Sequence, residues 1–96
     1  MRPDQLGDLA VFAAIASDRS FTRAARRLGV TQSALSQTMK RLEGQLGFRL
    51  LSRTTRSVAP TAAGERLLAT LSPALAGFDD EIAVLSQARG AAVGTV

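Results

Sequence analysis

The sequence predicts a small, mostly α-helical domain that carries one short β-hairpin and ends in a long helix. Three observations predict it. Apolar residues recur at helical spacing over most of the 96 residues. Gly29-Val30-Thr31 separates two short helical patterns by a tight turn. From Phe48 to Pro60 the helical period gives way to a segment that suits two short strands. Two apolar-faced helices joined by so tight a turn form the arrangement by which a protein presents one helix to a DNA groove.

The first helix is expected from about Asp4 to Ser17, because Leu6, Leu9, Phe12, Ala13 and Ala16 form one apolar stripe. Asp18-Arg19-Ser20 breaks that pattern. A second helix follows from about Thr22 to Leu28, with Ser20 or Thr22 able to accept backbone N–H bonds at its start. Gly29 stands where a left-handed residue is usually wanted, and Val30 is expected to fill the apolar space between the helices. Thr31 is a good N-cap for a third helix reaching Leu46 or Gly47. On it Leu35, Met39, Leu42 and Leu46 fall within about 60° of arc at about 100° per residue, leaving Ser33, Ser36, Gln37, Lys40 and Gly44 on the opposite side.

Leu50, Leu51 and Val58 then flank Ser52-Arg53-Thr54-Thr55-Arg56-Ser57, the hairpin. Pro60-Thr61 opens a fourth helix of roughly 25 residues, about 37 Å long. Leu71, Leu75, Phe78, Ile82 and Leu85 follow a heptad-like rhythm on it, which suits dimerisation. Packing of this seam on the first helix alone is the other reading. Pro73 is expected to kink the helix, and residues 90–94, Gly-Ala-Ala-Val-Gly, read as a flexible exit.

The sequence has no Cys and no His, which removes disulfides, thiolate and imidazole metal sites and the usual general base. No cofactor is expected, and an enzyme is the least favoured class. No apolar run approaches the roughly 20 residues of a membrane span, and the first residues lack the apolar core of a secretory signal, so a cytoplasmic location without membrane attachment is expected. Charge is unevenly placed: between Arg19 and Arg66 lie ten Arg or Lys against only Glu43 and Glu65, while Asp4, Asp8 and Asp79-Asp80-Glu81 lie outside. Such a basic stretch implies a polyanionic partner, with a solvated charged surface as the bland alternative.

For base reading, the first turns of the third helix must face the major groove. Gln32 and Gln37 are the candidate base readers, since a glutamine amide can make a bidentate contact to adenine. Thr31, Ser33 and Ser36 are short hydroxyls suited to phosphate oxygens, and Lys40 adds a phosphate contact on the same face. Gly44 would let the helix approach the DNA backbone, or would fray it. Arg41 is expected to pair with Glu43 or a neighbouring element. At the hairpin, Arg53 and Arg56 could enter a narrow minor groove. Arg23, Arg26 and Arg27 are secondary candidates for the DNA backbone.

With the order of these features in place, the chain resembles the N-terminal region of LysR-type transcriptional regulators. The matching string is Ser20-Phe21, Ala24-Ala25, Leu28, Thr31-Gln32-Ser33-Ala34, Ser36, Leu42-Glu43, Leu46-Gly47, Leu50, Arg53, Thr61 and Ala63-Gly64, and the resemblance covers about residues 6 to 89. It implies a winged helix-turn-helix over 1–60, a linker helix over 61–89 that pairs two subunits, and a hinge over 90–96 to a small-molecule-sensing domain absent from this sequence. The chain is thus expected to be a piece of a longer regulator, dimeric through the linker helix or tetrameric at full length. The DNA-contacting positions it implies are Thr31, Gln32, Ser33, Ser36, Gln37, Arg53 and Arg56, on partly palindromic promoter sites. Departures are Leu51 for a frequent Phe, Ser33 for Pro, Gln37 for Arg, and Pro73 in the linker.

Other classes remain open at this level. A protein-interaction or oligomerisation module would use the basic face against an acidic protein. Single-strand binding is disfavoured, since four Phe are the only aromatics and all four are expected to serve the core.

Overall fold

The order of elements is α1 (Pro3–Asp18), α2 (Phe21–Leu28), α3 (Gln32–Leu46), β1 (Leu51–Arg53), β2 (Val58–Pro60) and α4 (Ala62–Thr95). The computed structural model describes residues 1–54 and 57–95, with side chains up to Ala88. Arg56, one of the two hairpin arginines, therefore lies outside the described residues.

Local chemistry sets the boundaries. Pro3 opens α1 in the first helical turn, where a missing N–H costs nothing. Arg19 ends it in a left-handed conformation (φ 52°), its N–H donating to Ile15 O at 2.8 Å. Ser20, not Thr22, caps α2: its Oγ accepts from Arg23 N at 3.1 Å. Gly29 (φ 72°) closes α2 with N–H bonds to Ala25 and Arg26 carbonyls. Thr31 Oγ1 accepts from Ala34 N at 3.0 Å, starting α3 after a turn of three residues.

The core gathers where α1, α2 and α3 cross. Phe12 and Ile15 from α1, Leu42 from α3 and Leu50 ahead of β1 are fully buried, surrounded by Leu9, Ala16, Phe21, Ala24, Ala25, Leu35, Met39, Leu51, Val58 and Leu71. Burying one such large apolar side chain is worth about 1.5–3 kcal/mol. Leu46 and Ala13 are only partly buried at its margin. Leu6 and Val30 are exposed. Val30 therefore does not fill the space between the helices: its N–H bonds Ala25 O, and Ala24, Ala25 and Leu35 close the gap. Of the four Phe, Phe12 and Phe21 serve the core, whereas Phe48 and Phe78 are exposed.

β1 and β2 pair antiparallel, Leu51 with Pro60, Ser52 with Ala59 and Arg53 with Val58. Thr54 N donates to Ser57 O at 2.9 Å, closing the turn. Two anchors fix this hairpin to the helices. At its base Glu43 of α3 accepts from Leu50 N at 2.6 Å and Leu51 N at 3.1 Å. On the far side Thr61 donates from Oγ1 to Arg49 O at 2.7 Å and from its N–H to Leu50 O at 2.9 Å. The same hydroxyl accepts from Gly64 N at 3.1 Å, capping α4. Gly64 is required by this junction, because a Cβ there would run into Leu50 O.

α4 continues through Pro73 and through residues 90–94, where the sequence suggests an exit, to Thr95. Its first half packs on α1: Leu71 is buried, and Leu67, Leu68 and Leu75 are partly so. Past Leu75 the helix leaves the domain, projecting about 30 Å over its last 20 residues at 1.5 Å each, in a molecule 54 Å long. Phe78, Ile82 and Leu85 on this projection are 56%, 60% and 60% exposed. Among the described residues no helix is long and apolar enough to cross a membrane.

Candidate nucleic-acid interface

The face of α3 opposite Leu35, Met39 and Leu42 is open to solvent. Ser33, Gln37 and Lys40 are exposed on it and Ser36 is half-buried, while Thr31 and Gln32 are exposed at the start of the helix on its Leu35 side. The structure thus brings Ser33, Ser36, Gln37 and Lys40 onto one surface and leaves Thr31 and Gln32 at the exposed start of the same helix, Gln32 beside α2. Gln32 is held from the side, since Thr22 Oγ1 of α2 donates to its Oε1 at 3.3 Å. That exposed bond links the amide to α2. Gly44 continues the face, and a Cβ there would meet nothing within 4 Å. Packing inside the chain therefore does not require a glycine at this position.

Arg53 lies at the end of β1 and not at the hairpin tip. Alternation along the strand and pairing with Val58 place it on the same face of the hairpin as Leu51, Val58 and Pro60, the side that packs inward. Its guanidinium carbon sits over the Phe21 ring, 3.8 Å from the centroid. Such a cation–π contact is worth about 0.5–1 kcal/mol at an exposed site. The contact ties the hairpin to the start of α2, next to the exposed face of α3. A groove of about 620 Å³ between α3 and the hairpin has Met39, Leu51 and Phe48 as apolar lining and Lys40, Arg49 and Arg53 as cations.

Several cations in the basic stretch are occupied within the chain. Arg41 makes a two-pronged contact to Asp8 of α1, at 2.9 and 3.3 Å, and not to Glu43. Arg27 pairs with Asp18 at 3.0 Å and also donates to Ala14 O, fastening α2 to α1. Arg49 lies 3.7 Å from Glu43. Pairing of Asp8, Asp18 and Glu43 with these three arginines removes acidic charge from the neighbourhood of the α3 face. Among the described residues, Arg23, Lys40 and Arg53 are the cations near that side without a carboxylate partner, and they give it a positive field.

Sequence reasoning gave no positioning role to two residues that shape the site: Phe21, which carries Arg53, and Glu43, which seats the hairpin. A Glu one position after a core leucine reads as an ordinary surface acid, and nothing local reveals its backbone partners. The third-helix face, by contrast, follows from spacing alone.

Comparison with known proteins agrees with this geometry. The family model described as bacterial regulatory helix-turn-helix protein, lysR family, matches residues 6–65. The chain is 51% identical over all of its 96 residues to the HTH-type transcriptional regulator PgrR of Escherichia coli (strain K12), of which it spans 32%. It is 46% identical over 90 residues, 94% of its length, to the HTH-type transcriptional regulator BudR of Klebsiella aerogenes, spanning 61% of that protein. The crystal structure of a BenM DNA-binding domain in complex with benA site 1 DNA superimposes with a TM-score of 0.75 at 32% identity, over 85% of this chain and 92% of that one. Oxidised OxyR of Corynebacterium glutamicum gives 0.76 at 37% identity, over 86% of this chain and 26% of that one. The chain spans about a third of PgrR. With four helices, a two-stranded wing and a family match over most of the domain, the chain belongs to the lysR family of bacterial regulatory helix-turn-helix proteins and is the DNA-binding domain of a transcriptional regulator.

Proposed function

We propose that this domain reads a partly palindromic promoter site in duplex DNA as a homodimer, with α3 in the major groove and the hairpin against the neighbouring minor groove. Gln32 and Gln37 meet base edges, while Thr31, Ser33, Ser36 and Lys40 hold phosphates. Arg53, and Arg56 by sequence, supply the positive charge of the wing. The observation that carries this reading is the division of α3: Leu35, Met39 and Leu42 buried on one side, Ser33, Ser36, Gln37 and Lys40 on the other, with Thr31 and Gln32 exposed at the helix start.

Two symmetric copies are joined through the projecting part of α4, where Phe78, Ile82 and Leu85 form an uncovered apolar stripe. Leu71 and Leu75, placed on the same seam by their spacing, pack mainly within their own chain and brace its base. The remaining length of a PgrR-like regulator would supply the effector-binding domain, and the whole protein would act in the bacterial cytoplasm. No metal or other cofactor takes part in this reading.

Selection of bound sequences from a random duplex pool tests it. The expected result is one enriched motif in two related, inverted half-sites. Recovery of unenriched DNA, or binding to acidic proteins in place of DNA, would replace this reading by that of a basic protein-interaction module.

A further inference from the structure

Arg53 stands where two concavities meet. One, on the α3 side, includes Ser36, Lys40 and Phe48; the other includes Ser20, Arg23, Gln32 and Ser57. The guanidinium is thus at the ridge between the helix face and the hairpin. Among the described residues it has no ion pair with a carboxylate, because Asp18 and Glu43 are paired with Arg27 and Arg49. Its neighbour is instead the Phe21 ring at 3.8 Å. A ring face accepts no conventional hydrogen bond, so this contact holds the group in place while leaving its N–H donors for another acceptor. Phe21 is 5% exposed and begins α2, so the ring is fixed by the core around it.

We infer that Phe21 is a positioning residue for Arg53, holding the guanidinium at this ridge to bind a backbone phosphate between the two grooves of the duplex. This rests on the duplex-binding reading above. A guanidinium suits a phosphate through its planar array of donors, and a fixed one loses less side-chain freedom on binding. Arg53 then adds affinity for any sequence, and the discrimination among bases stays with α3.

The test is a double-mutant cycle with Phe21→Leu and Arg53→Gln. Binding to a fluorescein-labelled mixed-sequence duplex is followed by anisotropy at several salt concentrations. Each single variant is expected to weaken binding about five-fold, with the salt slope falling by about 0.9 as one phosphate contact is lost. In the Arg53→Gln background, Phe21→Leu should cost less than about two-fold and leave the slope unchanged. Equal loss in both backgrounds, or an unchanged slope in Phe21→Leu, identifies a core defect and overturns the proposal. Normal binding by Arg53→Gln overturns it while leaving the duplex reading intact, and failure of the unaltered protein to bind any duplex overturns both. Phe21→Met, which refills the space without a ring face, carries the same comparison if the leucine variant does not fold.

Discussion

Glu43→Ala is expected to be among the most destabilising single changes on the surface of this domain. One oxygen of this carboxylate, Oε2, accepts from Leu50 N at 2.6 Å and from Leu51 N at 3.1 Å. The side chain is only 16% exposed, and Leu50 and Leu51 are core residues. A hydrogen bond to a charged acceptor contributes about 1.5–3 kcal/mol. Because two donors share one oxygen and solvent reaches part of the group, about 2–4 kcal/mol is the reasoned loss for both. For a domain of this size 1 kcal/mol shifts the melting temperature by about 4–8 °C, so a drop of at least about 8 °C is expected. Urea and thermal unfolding at one fixed protomer concentration measure it. Arg49→Ala is the comparison: its side chain is 70% exposed, its ion pair to Glu43 spans 3.7 Å and it donates to Leu51 O at 3.1 Å, contacts together worth about 1 kcal/mol. Glu43→Gln, which keeps a neutral acceptor, should fall between. Equal, small effects of Glu43→Ala and Arg49→Ala would refute the claim that this carboxylate seats the wing.

Three further outcomes follow from the same geometry. Gly64→Ala brings a Cβ against Leu50 O and should cost about 1–3 kcal/mol, seen as a lower urea midpoint. Gly44→Ala meets open space and should stabilise the free domain by about 1 kcal/mol; weaker duplex binding by this more stable variant would place a DNA backbone against the glycine. Ile82→Asp, on a side chain 60% exposed, should convert a dimer to a monomer in sedimentation experiments with little loss of helix in the remainder of the domain.

The parts of this structure that were legible in the sequence are those set by neighbours in the chain. Gly29 and Thr31 define the turn through local hydrogen bonds, and the four-three spacing of Leu35, Met39 and Leu42 sets the inward side of α3. Contacts between distant segments were not legible. Arg41 could choose between Glu43 and a residue on another helix, and only the crossing of α1 over α3 brings Asp8 to it. The sequence assigns Arg53 to the hairpin, but only the strand register places it beside Val58 and over Phe21. Val30 and Phe48, apolar by type, are exposed, while Ala24, Ala25 and Leu35 are buried between the helices. Helical spacing on α4 marked one seam from Leu71 to Leu85, yet spacing alone does not reveal where α1 ends beside it.

In the proposed complex the exposed side chains of α3, Gln32 among them, read bases. The most direct measurement compares the unaltered domain with Gln32→Ala on a duplex recovered from the random pool and on its single-base substitutions. The unaltered domain should discriminate against substitution at one adenine by a factor corresponding to about 1–3 kcal/mol, and Gln32→Ala should lose that discrimination at that position alone. An equal preference profile in both proteins, or a uniform loss of affinity over every duplex, would contradict the account.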